Sequence, residues 1–398
     1  MTKSSSASTS ARITSIDLLR GFVMLLMALD HVRDFFHHDS FYIDPTDLQQ
    51  TTVPLFLTRF ITHFCAPVFV FLAGTSAFFV GERMTQKQEL SAWLVKRGFW
   101  LVFLEFTVVK FGWFFTLNYN HLELMVIWAI GVSMITLAAA IHLPKKLLFA
   151  LGILLVAGHN TLDFYTPPGD TYLQILWNIL HVQSPFDAGN CAVFIVYPLL
   201  PWMGLMMLGY CMGNWYTSTY SATKRKKLLI GGGLFCWALF ILLRIPNLYG
   251  EPNPWDWQTT PSMSMLSFIN VSKYPPSLDY VLITIGFALL FLGLFETLRG
   301  KLSEAITVIG RVPMFYYILH IYLIHFLAML AAGLTGFNPF DMVTDQFISM
   351  IPTLKGYGFS LPVTYLIWIL VVVLLYPLCR WYNRYKSSHR HHWWLSYL

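Results

Sequence analysis

Long apolar stretches separated by short polar ones dominate the chain. Stretches of the length a helix needs to cross a bilayer, roughly 17–25 mainly apolar residues, fall at 13–36, 55–79, 93–115, 122–141, 145–161, 190–213, 227–245, 278–298, 309–333 and 361–382. Charged, Pro-rich or aromatic turns bound each of them, and no loop between them is large enough to form a second domain. The expected fold is all-α: a polytopic integral membrane helical bundle of about ten transmembrane helices. It forms a single domain over 1–398 with short tails at 1–12 and 383–398.

Charge orients this bundle. With the N-terminus in the cytoplasm, that side receives Lys3 and Arg12, Arg83, Lys87, Lys96 and Arg97, Lys145 and Lys146, the run Lys224 to Lys227, Arg299 and Lys301, and finally Arg380, Arg384, Lys386 and Arg390. Only Arg33, Arg244, Lys273 and Lys355 fall on the other side. The positive-inside rule is then obeyed throughout, both termini are cytoplasmic, and an even number of spans is required. The outer loops are longer and acidic or aromatic: 37–54 carries Asp39, Asp44 and Asp47, 162–189 carries Asp163, Asp170 and Asp187, and 246–277 holds Trp255, Trp257 and several Pro. Two readings of these loops stay open, a cap over a cavity and plain linkers.

Composition points the same way. The 398 residues are 56% hydrophobic and 12% charged, with a mean hydropathy of +0.57, against about 25% charge in an ordinary soluble domain. The net charge of +6 sits in loops between spans, so topology accounts for it and no nucleic-acid partner is implied; lipid is the expected surroundings. The Ser-rich start shows no small-residue cleavage signal, so the first helix is expected to stay in the membrane. Cys65, Cys191, Cys211, Cys236 and Cys379 lie in or beside apolar runs without metal-ligand spacing, so neither a disulfide framework nor a bound metal is expected. The tail histidines His389, His391 and His392 sit in a basic segment beside two Trp, a pattern of interfacial anchoring. GxGxxG, phosphate-loop, HExxH and GxSxG motifs are absent, which removes the cofactor folds those motifs identify.

The candidate chemistry lies in ionisable residues placed where lipid should be, since such residues are costly unless they face a bundle interior or water. The first stretch, ITSIDLLRGFVMLLMALDHVRDFF, concentrates them. Asp17 and Arg20 share a face near one end, where they can pair or meet an anionic ligand. Asp30, His31, Arg33 and Asp34 lie at the other, and a carboxylate there can orient the imidazole and raise its basicity. Arg59 and His63, four apart, share a face of the second stretch; His37 and His38 lie in the loop between. Arg311, Tyr316, Tyr317, His320 and His325 mark the ninth stretch, with Tyr316 and His320 at i and i+4. Glu105 reads as an internal partner for Arg or Lys, and Lys110 as a side chain snorkelling to its helix end. A lining from Arg to histidines suits passage of a bound group and a proton path equally well.

The opening ITSIDLLRGFVMLLMALDH with APVFVFLAGTSAFF resembles the heparan-alpha-glucosaminide N-acetyltransferase family, and YPLLPWMGLMMLGYCMG, KYPPSLDY, IGRVPMFYYILHIYLIH and the tail resemble its bacterial branch. The resemblance covers nearly the whole chain and implies a CoA-dependent transmembrane acyltransferase of the bacterial cytoplasmic membrane. Such an enzyme takes an acyl group, acetyl above all, from cytoplasmic acyl-CoA as co-substrate, with no tightly bound cofactor, and passes it to a sugar or glycan acceptor outside. The family's loop histidine falls on His37 or His38, although the Trp-Asn-Gly stretch of that loop is missing, and the family's Asn at the end of the first helix is replaced by His31. A more distant likeness to transmembrane O-acetylation enzymes, whose first helix ends in histidine, maps to His31.

Together these readings make Arg20, Lys96, Arg97 and Arg311 the candidates for CoA phosphates. His31 becomes the general base or acyl carrier, with Asp30 or Asp34 orienting it, Arg59 or His63 meeting the oxyanion, and His38 as a second candidate. Asp17, His37, Tyr316, His320 and His325 would line the route. A transporter using the same buried Asp, Arg and His residues is the alternative, and a scaffold in which they only fasten helices is a third. The apolar surface suits a homodimer contact or lipid.

Overall fold

A computed structural model of the chain describes residues 13–167, 171–389, 391, 392 and 395. The tail 1–12 with Lys3 and Arg12, and Asp170 and Arg390, lie outside the described residues. The described part is predominantly helical, in chain order α1 Thr14–Phe36, α2 Val53–Thr62, α3 Cys65–Gly81, α4 Lys87–Leu104, α5 Lys110–Phe114, α6 Val126–Ala140, α7 Lys145–Ala157 and α8 Thr171–His181. Then follow α9 Leu200–Gly213, α10 Ala222–Arg244, α11 Pro261–Ile269, α12 Leu278–Leu294, α13 Lys301–Gly310, α14 Pro313–Leu334 and α15 Leu361–Ser388.

Each of the ten expected stretches contains helix, but among the described residues only four helices are long and apolar enough to cross a membrane: Val53–Gly81 taken across its break, α10, α14 and α15. The shortfall has local causes. α1 has the length but carries Asp17, Arg20, Asp30, Arg33 and Asp34. α7 spans 13 residues, and α6 and α12 are apolar but short. The stretches 122–141 and 190–213 each open with a strand. The expectation of an all-α chain is corrected by these strands: β1 His121–Leu124, β2 Ser184–Ala188 and β3 Cys191–Ile195 form a sheet of order β1-β3-β2, with β1 parallel and β2 antiparallel to β3. Gly189, at φ 67°, turns β2 into β3, a conformation glycine adopts without steric cost.

The second stretch is broken rather than continuous. Pro67 has no N–H to return to the carbonyl four residues back, that of His63, and this carbonyl instead accepts the Tyr280 hydroxyl at 2.7 Å. α2 therefore ends at Thr62, and His63 stands in the break. The ninth stretch is divided as well: α13 ends at Gly310, Arg311 and Val312 turn the chain, and Pro313 opens α14.

α1 runs through the middle of the bundle, packed against α2, α3 and α12–α15. Its closest approach is to α13, where a Cβ on Gly310 would sit 1.9 Å from the Asp17 carbonyl oxygen and one on Gly21 2.0 Å from that of Ile306. Backbones meet this closely only where both helices present glycine. The crossing holds the Asp17–Arg20 turn of α1 beside Arg311.

Candidate active site

One stripe of α1 faces a cavity near each end. Arg20, Met24 and Met27 line a cavity of about 520 Å³; Asp34 and Phe35 line a second, of about 210 Å³. His31 lies four residues beyond Met27 and three before Asp34, on the same helical face, and so stands between the two.

The larger cavity is two-sided in its chemistry. Its rim carries Arg20, Arg83, Arg97, Arg311 and Lys386, and its interior is apolar, with Met24, Met27, Leu101, Ile127, Met134 and Tyr317. Asp17 tempers the charge: Arg20 binds it at 3.1 Å and Arg311 at 3.6 Å. Arg20 is further fixed by donating to the Gly310 carbonyl at 3.2 Å and to Ser76 at 3.1 Å. The guanidinium on α1 is thus held in place by α3 and α13, as a fixed anion site requires. Sequence reasoning named Arg20, Arg97 and Arg311 but missed Arg83, Lys386 and Trp93, and its Lys96 is exposed and outside the lining.

Beyond the Met27 end of this lining two histidines meet, neither of them among the residues that line the cavity. His31 Nδ1 lies 2.7 Å from His320 Nε2, and the rings are stacked at 4.9 Å. His320 is fully buried, with its Nδ1 against the carbonyls of Tyr317 and Tyr316. Carbonyl oxygens only accept, so Nδ1 of His320 carries its proton. With both rings neutral, Nε2 of His320 is then the acceptor and His31 Nδ1 the donor. This leaves the lone pair of His31 on Nε2, which has no hydrogen-bond partner among the described residues. A proton taken up there gives an imidazolium whose Nδ1–H is still held. Trp113 packs its edge on His31 at 4.7 Å and lines the smaller cavity beyond.

The expected orientation of His31 by Asp30 or Asp34 is corrected by this arrangement. Asp30 is taken up by both Arg59 contacts, at 3.0 and 3.1 Å, by Thr62 at 2.9 Å and by Arg33 at 2.9 Å. Asp34 pairs with Arg33 at 2.6 Å. Neither carboxylate bonds the imidazole, because their partners are permanent cations and a neutral ring competes poorly for them. Arg59 and His63 line a third cavity, about 210 Å³, with Asp44, Asn270, Lys273 and Tyr274. His63 Nδ1 is buried there without a hydrogen-bond partner among the described residues.

The remaining candidates separate by surroundings. His37 is buried, its Nδ1 3.1 Å from the Phe359 carbonyl, in a strap where Phe359 N–H also donates to Phe36 at 2.7 Å. Burial holds its pKa below the ordinary histidine value, with the Phe359 carbonyl and Asp39 opposing. His38 is exposed, 3.2 Å from Asp39 and packed on Tyr42. His325 has a carbonyl against each ring nitrogen, Gly112 and Met342, both at 3.1 Å, which makes it a fastener of α14 to its neighbours. Tyr316 stacks on His320 at 5.5 Å but does not line the cavity; its neighbour Tyr317 does. Among the described residues Glu105 meets no cation. It accepts the Trp128 N–H at 2.8 Å and caps α6 from a turn of π-helix at Glu105–Val109. Lys110 donates to the His121 carbonyl at 2.8 Å.

With this geometry in view, one comparison decides the family. The family model described as heparan-alpha-glucosaminide N-acetyltransferase, catalytic, matches residues 12–244. The chain belongs to the heparan-alpha-glucosaminide N-acetyltransferase family. No curated protein matches it. Membership together with the long apolar helices makes this an integral membrane protein of acyltransferase type. The stretch matching the family carries His31, Arg20, Arg83 and Arg97, whereas His320, Arg311 and Lys386 come from the part beyond it.

Proposed function

We propose that the protein transfers an acyl group, acetyl above all, from cytoplasmic acyl-CoA to a sugar or glycan acceptor on the outer side of a bacterial cytoplasmic membrane. The observation that supports this is the order of groups along α1: arginines and an apolar lining around one cavity, then, four residues beyond Met27, a histidine with a free lone pair, then Asp34 and Phe35 at a second cavity. In this reading the ten apolar stretches all contribute crossing segments, with both termini and the Arg20 end cytoplasmic. The rim arginines bind the CoA phosphates, the pantetheine arm lies along the Met24 and Met27 side of the shaft, and the thioester reaches His31.

The acceptor hydroxyl or amine enters from the opposite side. Its oxygen or nitrogen attacks the thioester carbonyl carbon while His31 Nε2 takes the proton. The C–S bond then breaks, and the imidazolium returns the proton to sulfur, releasing CoA thiol. His320 positions His31 and keeps its tautomer. The polar cavity of Arg59, His63, Asp44, Asn270 and Lys273 has the mixed donors and acceptors that a sugar requires, and we assign it to acceptor recognition in place of the oxyanion role expected for Arg59 and His63.

The test is transfer of labelled acetyl from acetyl-CoA to a panel of sugars, with sealed vesicles separating donor from acceptor. Wild-type protein is expected to consume acetyl-CoA only when the acceptor is on the opposite face, and His31→Ala to abolish transfer. Substrate uptake without CoA release would instead establish the transporter reading. Acetyl label bound to the protein in the absence of acceptor, and lost with His31, would establish an acyl-histidine route.

A further inference from the structure

A second cluster of ionisable side chains lies away from the His31–His320 pair. His159 and Asp163, four apart in and just after the short 3-10 turn that follows α7, meet His181 from the last turn of α8, and one ligand atom from each lies within 4.8 Å of the others. Both histidines are buried, each 2% exposed. His181 Nε2 is 3.2 Å from Asp163 Oδ1, and the second carboxylate oxygen accepts from Asn160 Nδ2 at 2.8 Å. Among the described residues, neither ring nitrogen of His159 nor Nδ1 of His181 makes a hydrogen bond of good geometry, with the Pro276 carbonyl beside His159.

A buried imidazole with an orphaned ring nitrogen beside an Asp–His pair is unexpected in a helix-packing cluster, where buried polar atoms are paired. One nitrogen from each ring and the carboxylate make the donor set that a cation site needs. We infer that His159, Asp163 and His181 bind a divalent transition-metal ion of the zinc type, which clasps α8 to the end of α7. Two imidazoles and a carboxylate suit zinc and its first-row neighbours over calcium or magnesium, which prefer all-oxygen sets. Ligand atoms of a tetrahedral site with bonds of about 2.0–2.2 Å lie roughly 3.3 Å apart; the His181–Asp163 separation already meets this, and His159 needs a side-chain rotation.

Asn160 fits the same reading. It orients the carboxylate through Nδ2, as groups behind metal ligands do, while its Oδ1 accepts the Leu278 N–H at 2.9 Å. The ion would thereby couple α7, α8 and the start of α12. α8 has need of such an anchor: Tyr172, Leu173 and Leu176 are largely exposed, so packing alone fixes it weakly.

The test uses the full chain in detergent micelles, purified without a polyhistidine tag and with His389, His391 and His392 replaced by Gln so that the tail contributes no binding. After chelation, the protein is dialysed against buffered Zn²⁺ or Co²⁺ alone. The expected result is one ion per chain, an intense visible Co²⁺ spectrum of tetrahedral type, and at least tenfold weaker binding in His159→Ala, Asp163→Asn and His181→Ala but not in His142→Ala, an exposed control. His159→Cys, which keeps a ligand, is expected to add a thiolate-to-cobalt charge-transfer band, a positive signal that does not depend on a variant losing anything. Binding below one tenth of an ion per chain in the wild type overturns the assignment, as does binding unchanged by all three substitutions, or folded His159→Cys protein without the new band.

Discussion

Replacing His320 separates the role of the pair from the role of His31 alone. In His320→Ala the Nδ1–H of His31 loses its acceptor, whose nitrogen stands 2.7 Å away. A neutral hydrogen bond contributes about 0.5–1.5 kcal/mol net, and a buried donor left unsatisfied costs about 1–3 kcal/mol. At about 1.4 kcal/mol per factor of ten, the pair therefore accounts for roughly ten- to hundredfold in the fraction of His31 whose lone pair is on Nε2 and correctly aimed. Removing the base itself in His31→Ala forfeits more, about 10²–10⁴-fold. The assay is steady-state acetyl transfer in vesicles. His320→Ala is expected to lower kcat by that ten- to hundredfold with KM for acyl-CoA unchanged, His320→Gln to recover part of the loss because its amide oxygen can accept from His31, and the double variant to be no worse than His31→Ala. A His320→Ala enzyme with wild-type kcat, measured beside an inactive His31→Ala, would refute the reasoning from tautomers.

The cationic rim predicts a split between two adjacent residues. Arg97→Ala should raise KM for acyl-CoA about tenfold, the worth of a hydrogen bond to a charged group, while Lys96→Ala should leave KM unchanged; equal effects would place the phosphates elsewhere. Arg244 is buried and donates to the carbonyls of Phe268, Asn253, Ser267 and Asn270 at 2.8–3.1 Å, so Arg244→Ala should loosen segment 251–270 by more than about 2 kcal/mol, read as faster limited proteolysis there. His37, whose pKa lies below the usual 6.5 in the fold, binds fewer protons folded than unfolded. The folded state should therefore lose stability as pH falls below that value, because burial disfavours the charged ring, and His37→Gln should flatten this part of the stability profile in a thermal-unfolding series.

Much of the site was visible as charge out of place. Asp17, Arg20, Asp30 and His31 stand out in an apolar helix whatever the fold, and so did the polar residues of the ninth stretch. Their partners were not visible. His31 had two carboxylates within one turn, and local spacing favoured them; His320 prevailed because Arg33 and Arg59 had already claimed the acids, a fact of three dimensions. Lys96 and Arg97 are neighbours in sequence, yet one residue is about 100° around a helix, which puts one on the surface and the other in the cavity. His159 and Asp163 show helical spacing, but His181 lies beyond a loop, and the triad exists only once α8 folds back. The strands escaped notice because they are four or five residues long and lie within or beside apolar stretches that also suit helix.

The helix that supplies His320 is among the last to leave the ribosome, whereas His31 is made at the start. Until α14 docks against α1, the imidazole on α1 has no partner to fix its proton and the rim lacks Arg311. On the proposed function, a nascent chain has the shaft only in outline and a base weakened roughly ten- to hundredfold, so half-built protein turns acyl-CoA over slowly without any separate inhibitor. The same dependence makes the two parts of the chain complementary: co-expressed as fragments divided in the loop before α11, they are expected to be active together and far slower apart.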